Sequence, residues 1–332
     1  GVLHQPDILQ SQVTRMLQDP RAKALSENFA RQWLQLDRLI SAQPDIERFV
    51  TFYSRMGCEY WGLGSHMMLE PLLVFERIQV ENRSLLELVD SPYTYRPDSL
   101  HTWYNDPEPF AGKHEKHRFN VYKETFKLRD LDDRRQGGAI FTAASMTMTS
   151  SPLRTLPITR GAWVATVVFN DPPDPPPDDV PDIEADDQAI AALGLTVRDR
   201  LEQHRDLARC KSCHAKIDPL GFALESYDAV GRWRDTYHGG KAVDASVVLF
   251  GDQPIQDVVA LKDALLSEPR RFIRPFSEHM LSYALGRDLA VSDSPALERI
   301  VATVLDRDLR FNALVHAITR SIPFQHKTNQ VE

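Results

Sequence analysis

Apolar residues recur at helical spacing through most of this chain. Leu25, Phe29 and Trp33 lie four residues apart, and the Asp19-Pro20 pair before them predicts the start of a helix. Residues 44–80 extend the pattern over one or two further helices. Three more apolar stripes near the C-terminus share the same period: Phe272, Phe276, Met280 and Tyr283; Leu297, Ile300, Val301 and Val304; and Leu314, Val315 and Ile318. Such stripes usually form contacts between packed helices, so the pattern predicts a mainly α fold.

Residues 91–135 depart from this pattern. Pro, Asp, Gly, His and aromatic residues occur together there without a period, which predicts a long irregular segment. The segment contains His101, His114 and His117, but no carboxylate-histidine pattern of a metal site surrounds them. We therefore interpret these three residues as solvated loop histidines.

Shorter segments predict an extended stretch, a turn, a hairpin and a cap. Met146 and Met148 alternate with threonines, as in an extended segment. The sequence Asp218-Pro219-Leu220-Gly221 predicts a turn. Residues 238–256 predict a short β-hairpin, and Thr196 predicts the N-cap of a helix. One small β element is thus expected in an otherwise helical protein.

The clearest boundary in the sequence is a run of proline and aspartate. Residues 172–179 are Pro-Pro-Asp-Pro-Pro-Pro-Asp-Asp, a composition that forms neither a helix nor a central strand. It favours extended polyproline II backbone and hence a stiff, acidic spacer. We predict a helical domain over residues 1–170, a linker over 171–187, a second module over 188–256 and another helical domain over 257–332.

The composition limits the function classes. The chain has 332 residues and a formal net charge of −8, so a nucleic-acid partner is not expected, whereas docking to a basic partner is. The apolar runs are too short for a transmembrane helix, and the first residues lack the basic start and apolar run of a signal peptide. Three cysteines are too few for a disulfide framework.

The segment Cys210-Lys211-Ser212-Cys213-His214 carries the strongest chemical signal in the chain. Two thiols at this spacing can reach the two vinyl groups of one porphyrin, and the histidine that follows can bind the iron. The pattern is typical of covalent c-type haem attachment, with Cys210 and Cys213 as anchors and His214 as the proximal iron ligand. Since haem c is attached outside the cytoplasm, the pattern also predicts a periplasmic or extracellular protein. With no signal peptide, the chain would then be a mature or partial one.

Two other interpretations of this motif stay open. A redox dithiol is expected in a βαβ setting, which the sequence does not show. A zinc site needs about four ligands, and the third cysteine, Cys58, stands alone far upstream. We interpret Cys58 as a small buried hydrophobe.

Sequence on both sides of the motif carries a family resemblance. Residues 200–205, 217–225 and 228–234 (Arg-Leu-Glu-Gln-His-Arg, Ile-Asp-Pro-Leu-Gly-Phe-Ala-Leu-Glu and Asp-Ala-Val-Gly-Arg-Trp-Arg) resemble the central signature of large planctomycete-type cytochrome-like proteins. These proteins contain domains of unknown function named DUF1592, DUF1588 and DUF1585. Residues 29–34 and 154–163 resemble the first of these domains, and residues 281–287 resemble the third.

The resemblance implies a secreted or periplasmic c-type cytochrome of uncertain role. The predicted segments would be a DUF1592-like domain, a DUF1588-like haem c module and a DUF1585-like domain. Members often have further N-terminal domains, so the expected partner is a separate redox protein or the N-terminal portion of the same precursor, within a complex. Two departures stand out. Ile217 replaces a methionine common in relatives, and Leu156-Pro157 replaces a Ser-Pro pair.

The sequence does not fix the sixth iron ligand. The candidates are Met280, Met148, Met146, His279 and His238. The apolar stripe around Met280 favours a core position, and His204 lies so close before Cys210 that we expect it near the haem edge. A strong sixth ligand predicts an electron carrier, whereas an open distal side predicts peroxide or small-molecule chemistry.

Arg232 and Arg234 flank Trp233 and have two interpretations. Their planar guanidinium groups can pair with haem propionates, or they can close a turn at the edge of the core. Further candidates are Arg154 and Arg160, for a propionate or for a domain interface, and Tyr283 and Glu225, for distal or proton-transfer roles.

Three functions are compatible with these observations. The first is electron transfer to or from a partner oxidoreductase, and the second is a haem enzyme of peroxidase or oxidase type. The third is a non-haem structural subunit with a Cys/His metal site. The sequence favours the first two.

Overall fold

Helices form most of the described chain, as the apolar pattern predicts. The structure is a computed structural model that describes residues 2–3, 5–49, 52, 62–105, 124–175, 186–204 and 211–326. The helices of the N-terminal half are α1 (Pro6–Leu17), α2 (Arg31–Trp33), α3 (Arg38–Ser41), α4 (Gly62–Val80), α5 (Asp98–Asn105), α6 (Ala143–Met148) and α7 (Pro157–Val167). Those of the C-terminal half are α8 (Asp187–Ala192), α9 (Val197–His204), α10 (Lys211–Phe222), α11 (Val258–Ser267), α12 (Arg270–Leu285), α13 (Ser294–Leu305), α14 (Phe311–Thr319) and α15 (Ile322–Gln325).

Two helix starts that the sequence predicts are present with their caps. The Asp19 carboxylate accepts a hydrogen bond from Arg21 N at 2.9 Å, at the start of a short 3₁₀ helix. Thr196 Oγ1 accepts from Asp199 N at 3.1 Å, and the Asp199 carboxylate accepts from Thr196 N at 2.8 Å. This reciprocal capping box satisfies N–H groups that the first turn of α9 would otherwise leave unpaired.

The described residues contain two small antiparallel sheets. Strands β3 (Val247–Leu249) and β4 (Gln253–Ile255) form the hairpin predicted within residues 238–256. Strands β1 (Tyr93–Arg96) and β2 (Lys127–Asp130) pair inside the segment predicted to be irregular, so that prediction is wrong over these residues. His114 and His117 lie outside the described residues, whereas His101 lies in α5.

The β1 strand escaped prediction because two of its inward-facing residues are polar. Thr94 and Arg96 are fully buried and bind Glu70 of α4, which is also fully buried. Tyr104 Oη donates to the second Glu70 oxygen at 2.8 Å. A strand whose buried positions are filled by a bonded polar network shows no apolar alternation in its sequence.

Met146 and Met148 lie in helix α6, not in an extended segment, which corrects the sequence prediction. All six residues of this helix are buried. Ser145 Oγ donates to Ile140 O at 2.7 Å, and Thr149 Oγ1, directly after the helix, donates to Ser145 O at 2.6 Å. A helix buried on every side has no polar face, so its sequence lacks the period that identifies a helix.

The residues Asp218 to Gly221 form the last turns of α10, not a separate turn. This helix packs closely against α7, and two glycines permit the contact. A side chain at Gly161 would overlap the carbonyl oxygen of Ile217, and one at Gly221 would overlap that of Pro157. Because the two backbones touch at these points, tertiary packing holds Pro219 in helical conformation against its usual preference.

Two tryptophans fasten the N-terminal helices to α7. Trp33 Nε1 donates to Val167 O at 2.9 Å, and Trp163 Nε1 donates to Leu34 O at 3.2 Å. The Trp33 ring also meets Phe276 of α12 edge-on, with 4.8 Å between ring centroids. The main apolar core therefore runs continuously through α2, α7 and α12.

We expect Gly161→Ala to destabilise the protein by about 3 kcal/mol or more, because the new methyl group must push α7 and α10 apart. The measurement is the free energy of unfolding from urea denaturation followed by circular dichroism. Gly64→Ala in α4 is the matched control, since nothing lies within 4 Å of the added carbon. That variant should be unchanged or more stable by up to about 1 kcal/mol. Equal stabilities of the two variants would contradict a close helix contact.

Candidate functional site

The cysteine-histidine motif lies at the start of α10. The helix begins at Lys211, so Cys213 and His214 fall in its first turn. Cys210 lies outside the described residues, and only the backbone of Cys213 is described. His214 is described completely, and its side chain is buried. The motif is thus presented by a helix end whose opposite end is fixed by the glycine contact with α7.

His214 forms a buried pair with Asp218. The two residues are four apart in α10, and His214 Nδ1 lies 2.8 Å from Asp218 Oδ1. The carboxylate oxygen accepts, so Nδ1 carries the hydrogen. Any bond from this imidazole to a metal ion must therefore be made through Nε2. Hydrogen bonding of the remote ring nitrogen to a carboxylate is a common feature of metal-binding histidines.

Asp218 is the candidate site residue that the sequence analysis missed. The i to i+4 spacing from His214 was visible, but the Asp-Pro-x-Gly sequence predicted a turn, which would have separated the two side chains. Only the continuation of α10 through Pro219 brings Asp218 one helical turn below His214. On the same helix, Lys216 forms an exposed ion pair with Asp171 at 2.5 Å.

A fully buried guanidinium holds the segment that follows α10. Arg160 of α7 donates to the carbonyl oxygens of Leu224 at 3.1 Å, Tyr227 at 2.6 Å and Asp228 at 2.7 Å. It also donates to Ser150 Oγ at 3.0 Å. Burial lowers the pKa of Arg160 to about 10, so the group still carries its charge at neutral pH. Arg160 thus braces the contact between α7 and the loop after α10.

Glu225 and Arg234 form the second part of this buried network. Arg234 Nη2 donates to Glu225 Oε1 at 2.7 Å, and Thr155 Oγ1 donates to the same oxygen at 2.5 Å. The second Glu225 oxygen lies 3.9 Å from Arg160 Nη1. The Arg234 side chain is therefore engaged with a carboxylate of its own chain. The proposed propionate contact of Arg234 stays a prediction.

Arg232 and Trp233 lie on the same loop but point to other partners. The Arg232 guanidinium lies over the ring of Trp103, 5.3 Å from its centroid, and Trp103 Nε1 donates to Val230 O at 3.2 Å. Trp233 meets Tyr227 edge-on at 5.4 Å, and its Nε1 donates to Asp235 Oδ1 at 3.0 Å. These contacts anchor the loop to α5 and close it on itself.

The two histidines proposed as sixth ligands occupy different environments. His279 of α12 is largely buried, and its Nε2 donates to Thr166 O at 3.1 Å. Burial lowers the pKa of His279. His238 is exposed and borders a shallow cleft of about 270 Å³, together with Arg48, Arg154 and Tyr237. Within the described chain, neither histidine forms a hydrogen bond or ring contact with His214.

The three candidate methionines are all buried in the main core. Met146 and Met148 belong to α6, and Met280 belongs to α12. Tyr283 of α12 packs on Phe29, with 5.2 Å between ring centroids. The side chain of His204 and all of Cys58 lie outside the described part of the chain. The identity of a sixth ligand stays a prediction.

Among the side chains that the structure describes, no three His, Cys, Asp or Glu residues cluster as a metal centre. This set does not include the thiols of Cys210 and Cys213. Of the helices in the described ranges, none has the length and apolar character needed to span a membrane.

Comparison with known families matches three segments in chain order. Residues 1–105 match the family described as protein of unknown function DUF1592, residues 135–237 match DUF1588, and residues 251–324 match DUF1585. The chain is a DUF1592–DUF1588–DUF1585 protein. The family resemblance inferred from the sequence is thereby confirmed. Residues 154–163, which we assigned to the first domain, fall instead within the DUF1588 match.

The DUF1588 match includes both α7 and α10, and hence the glycine contact and the Arg160 network. The predicted boundaries at residues 170, 187 and 256 stay predictions. Searches of curated proteins and of solved structures give no significant match to this DUF1592–DUF1588–DUF1585 chain.

Replacing Arg160 with lysine should destabilise the protein by about 3 kcal/mol, because one ammonium group cannot reach acceptors arranged around a planar guanidinium. The measurement is again urea denaturation. Arg31→Lys serves as the control, since Arg31 is exposed and pairs only with Asp37 in the described chain. The control should change stability by less than about 0.5 kcal/mol. Equal effects in the two variants would show that Arg160 is not a brace.

Proposed function

We propose that this chain is an extracytoplasmic c-type haem protein that transfers electrons to or from a partner oxidoreductase. The observation that carries the proposal is the buried His214–Asp218 pair in the helix that begins at Lys211, within the Cys-x-x-Cys-His sequence. The motif supplies two thiols and one imidazole at the required spacing. The structure adds a carboxylate on the remote nitrogen of that imidazole.

The residues present fit a covalently bound haem. Cys210 and Cys213 would form the two thioether bonds, and His214 would bind the iron through Nε2. A bound haem would accept and donate one electron at a time. The protein's part is to hold and orient the ligand. Asp218 fixes the tautomer and orientation of the imidazole, and the glycine contact with α7 fixes the helix that presents it.

The charge of the chain supports the partner class. With a formal net charge of −8, the protein would attract a basic redox partner over distances of about a Debye length, roughly 8 Å at physiological salt. Covalent haem attachment outside the cytoplasm supports a periplasmic or extracellular location.

The same pair also favours a second candidate, a haem enzyme of peroxidase or oxidase type. A carboxylate partner makes a ligating imidazole more basic. A more basic proximal ligand stabilises oxidised iron. The two candidates differ in whether a side chain fills the sixth iron position.

An absorption spectrum of the purified protein tests the proposal. The protein is produced in the periplasm of a host that attaches haem c, and spectra are recorded oxidised, after dithionite, and after carbon monoxide. Sharp α and β bands of the reduced protein that do not change on addition of carbon monoxide indicate an electron carrier. A spectrum that shifts on addition of carbon monoxide indicates the enzyme candidate. Without a Soret band, the haem proposal fails and analysis for zinc follows.

The double variant Cys210→Ala, Cys213→Ala should lose covalent haem, because no thioether bond can form. The measurement is haem staining after denaturing electrophoresis, together with the pyridine haemochrome spectrum. Cys58→Ala is the matched control and should retain full haem content. Haem staining of the double variant at the level of the control would refute attachment at this motif.

Asp218→Asn should raise the reduction potential. The neutral amide lacks the negative charge that the carboxylate places beside Nδ1, so the imidazole becomes a less basic ligand and stabilises oxidised iron less. We expect at least a tenfold shift of the oxidised-to-reduced ratio at fixed potential, about 59 mV for one electron. Potentiometric titration of the intact holoprotein measures it. Asp171→Asn, which breaks the exposed pair with Lys216 on the same helix, is the control and should leave the potential unchanged. A potential unaltered by Asp218→Asn would mean that the pair does not act on the iron.

A further inference from the structure

A second, small apolar cluster lies apart from the main core of the described chain. It is formed by five buried side chains from α8, α9, the end of α10 and the chain that follows it: Ile190, Val197, Leu201, Phe222 and Tyr237. None of these five belongs to the main core, and the half-buried Ile158 and Val247 pack against both clusters. A region with few buried apolar contacts needs less free energy to open than the main core does.

The polar contacts that α8 and α9 make with later residues are ones that water can replace. Arg198 Nη2 of α9 donates to the carbonyl oxygens of Asp244 at 2.8 Å and Ser246 at 3.0 Å. The exposed Lys241 donates to Gly194 O, between the two helices. Because water can satisfy these donors and acceptors once the region opens, the bonds contribute little net free energy to the closed state.

Helix α10 lies between the two clusters. Its Leu220 belongs to the main core, whereas Phe222 belongs to the second cluster. His214, Asp218 and Phe222 are each four residues apart, so they follow one stripe of the helix. The guanidinium of Arg198 lies over the Phe222 ring, 4.2 Å from its centroid. Helix α9 therefore packs on the far end of the stripe that begins at His214.

We propose that α8 and α9 form a flap that opens as one unit while the main core stays folded. Opening would uncover Phe222, at the end of the stripe on which His214 lies. It would also move the helix that precedes the Cys-x-x-Cys-His motif, without disturbing the glycine contact between α7 and α10. The inference concerns the packing of apolar side chains and does not rest on the haem proposal.

Hydrogen exchange of the intact protein, followed by mass spectrometry at a series of low urea concentrations, tests the flap. Peptides from residues 190–204 should exchange at least about a hundredfold faster than peptides from α12. Their rates should rise with urea along one common slope that is smaller than the slope for α12, because the slope reflects the surface exposed on opening.

Two outcomes of this measurement would overturn the flap. One is equal protection of residues 190–204 and of α12, which would mean that both regions open only when the whole protein unfolds. The other is exchange of residues 190–204 at rates that do not change with urea, which would indicate fraying of helix ends with no cooperative opening.

Two substitutions in α10 give opposite expectations. Phe222→Ala should speed exchange of residues 190–204 at least about tenfold, because the closed state loses a contact that the open state does not have. Leu220→Ala is the matched control. It removes a contact of the main core, which is present whether the flap is closed or open, so it should speed exchange of α12 and leave residues 190–204 unchanged. Faster exchange of residues 190–204 to the same extent in both variants would overturn the proposal.

A second pair of variants keeps the test decisive if those in α10 do not fold. Leu201 lies in the second cluster and Leu281 lies in α12 of the main core, and both side chains are buried. Leu201→Ala should speed exchange of residues 190–204, whereas Leu281→Ala should speed exchange of α12 alone. An equal response of residues 190–204 to the two substitutions would show that the flap is not a separate unit.

Discussion

The close approach of α7 and α10 is the constraint on which the candidate site depends. Gly161 and Gly221 let the two backbones touch, and no other residue type fits at either position without moving a carbonyl group. This contact keeps α10 helical through Pro219, and helical continuity is what places Asp218 beside His214. The chemistry proposed for the motif is therefore a consequence of a packing contact several residues away from it.

A buried polar network extends this constraint to the loop after α10. Arg160 satisfies backbone carbonyls that would otherwise be unpaired, and Glu225 joins it to Arg234 and Thr155. Removing one member of such a network leaves a buried charge or acceptor without a partner. The loss of folding free energy is then far larger than the net stabilisation that the complete interaction provides. The network therefore contributes specificity of loop conformation more than it contributes stability.

The sequence alone predicted the mainly helical fold, several helix caps, the hairpin and the family, because amphipathic periods and motif spacings are local features. It failed where buried positions carry polar or uniformly apolar side chains. The buried polar residues Thr94 and Arg96 removed the apolar alternation that would have identified strand β1. The wholly buried helix α6 had no amphipathic period that could identify it. Asp218 was missed for a different reason. Local turn preference predicted one conformation, and tertiary packing imposed another.

The reciprocal tryptophan bonds between residues 33–34 and α7 join two of the matched segments of this chain to each other. The apolar core contains residues from all three matched segments. A gene rearrangement that separated one segment from the others would expose apolar surface on every piece, and each piece would be prone to aggregation and proteolysis. We therefore expect the three segments to fold and to be degraded as one unit, although the sequence divides into three families.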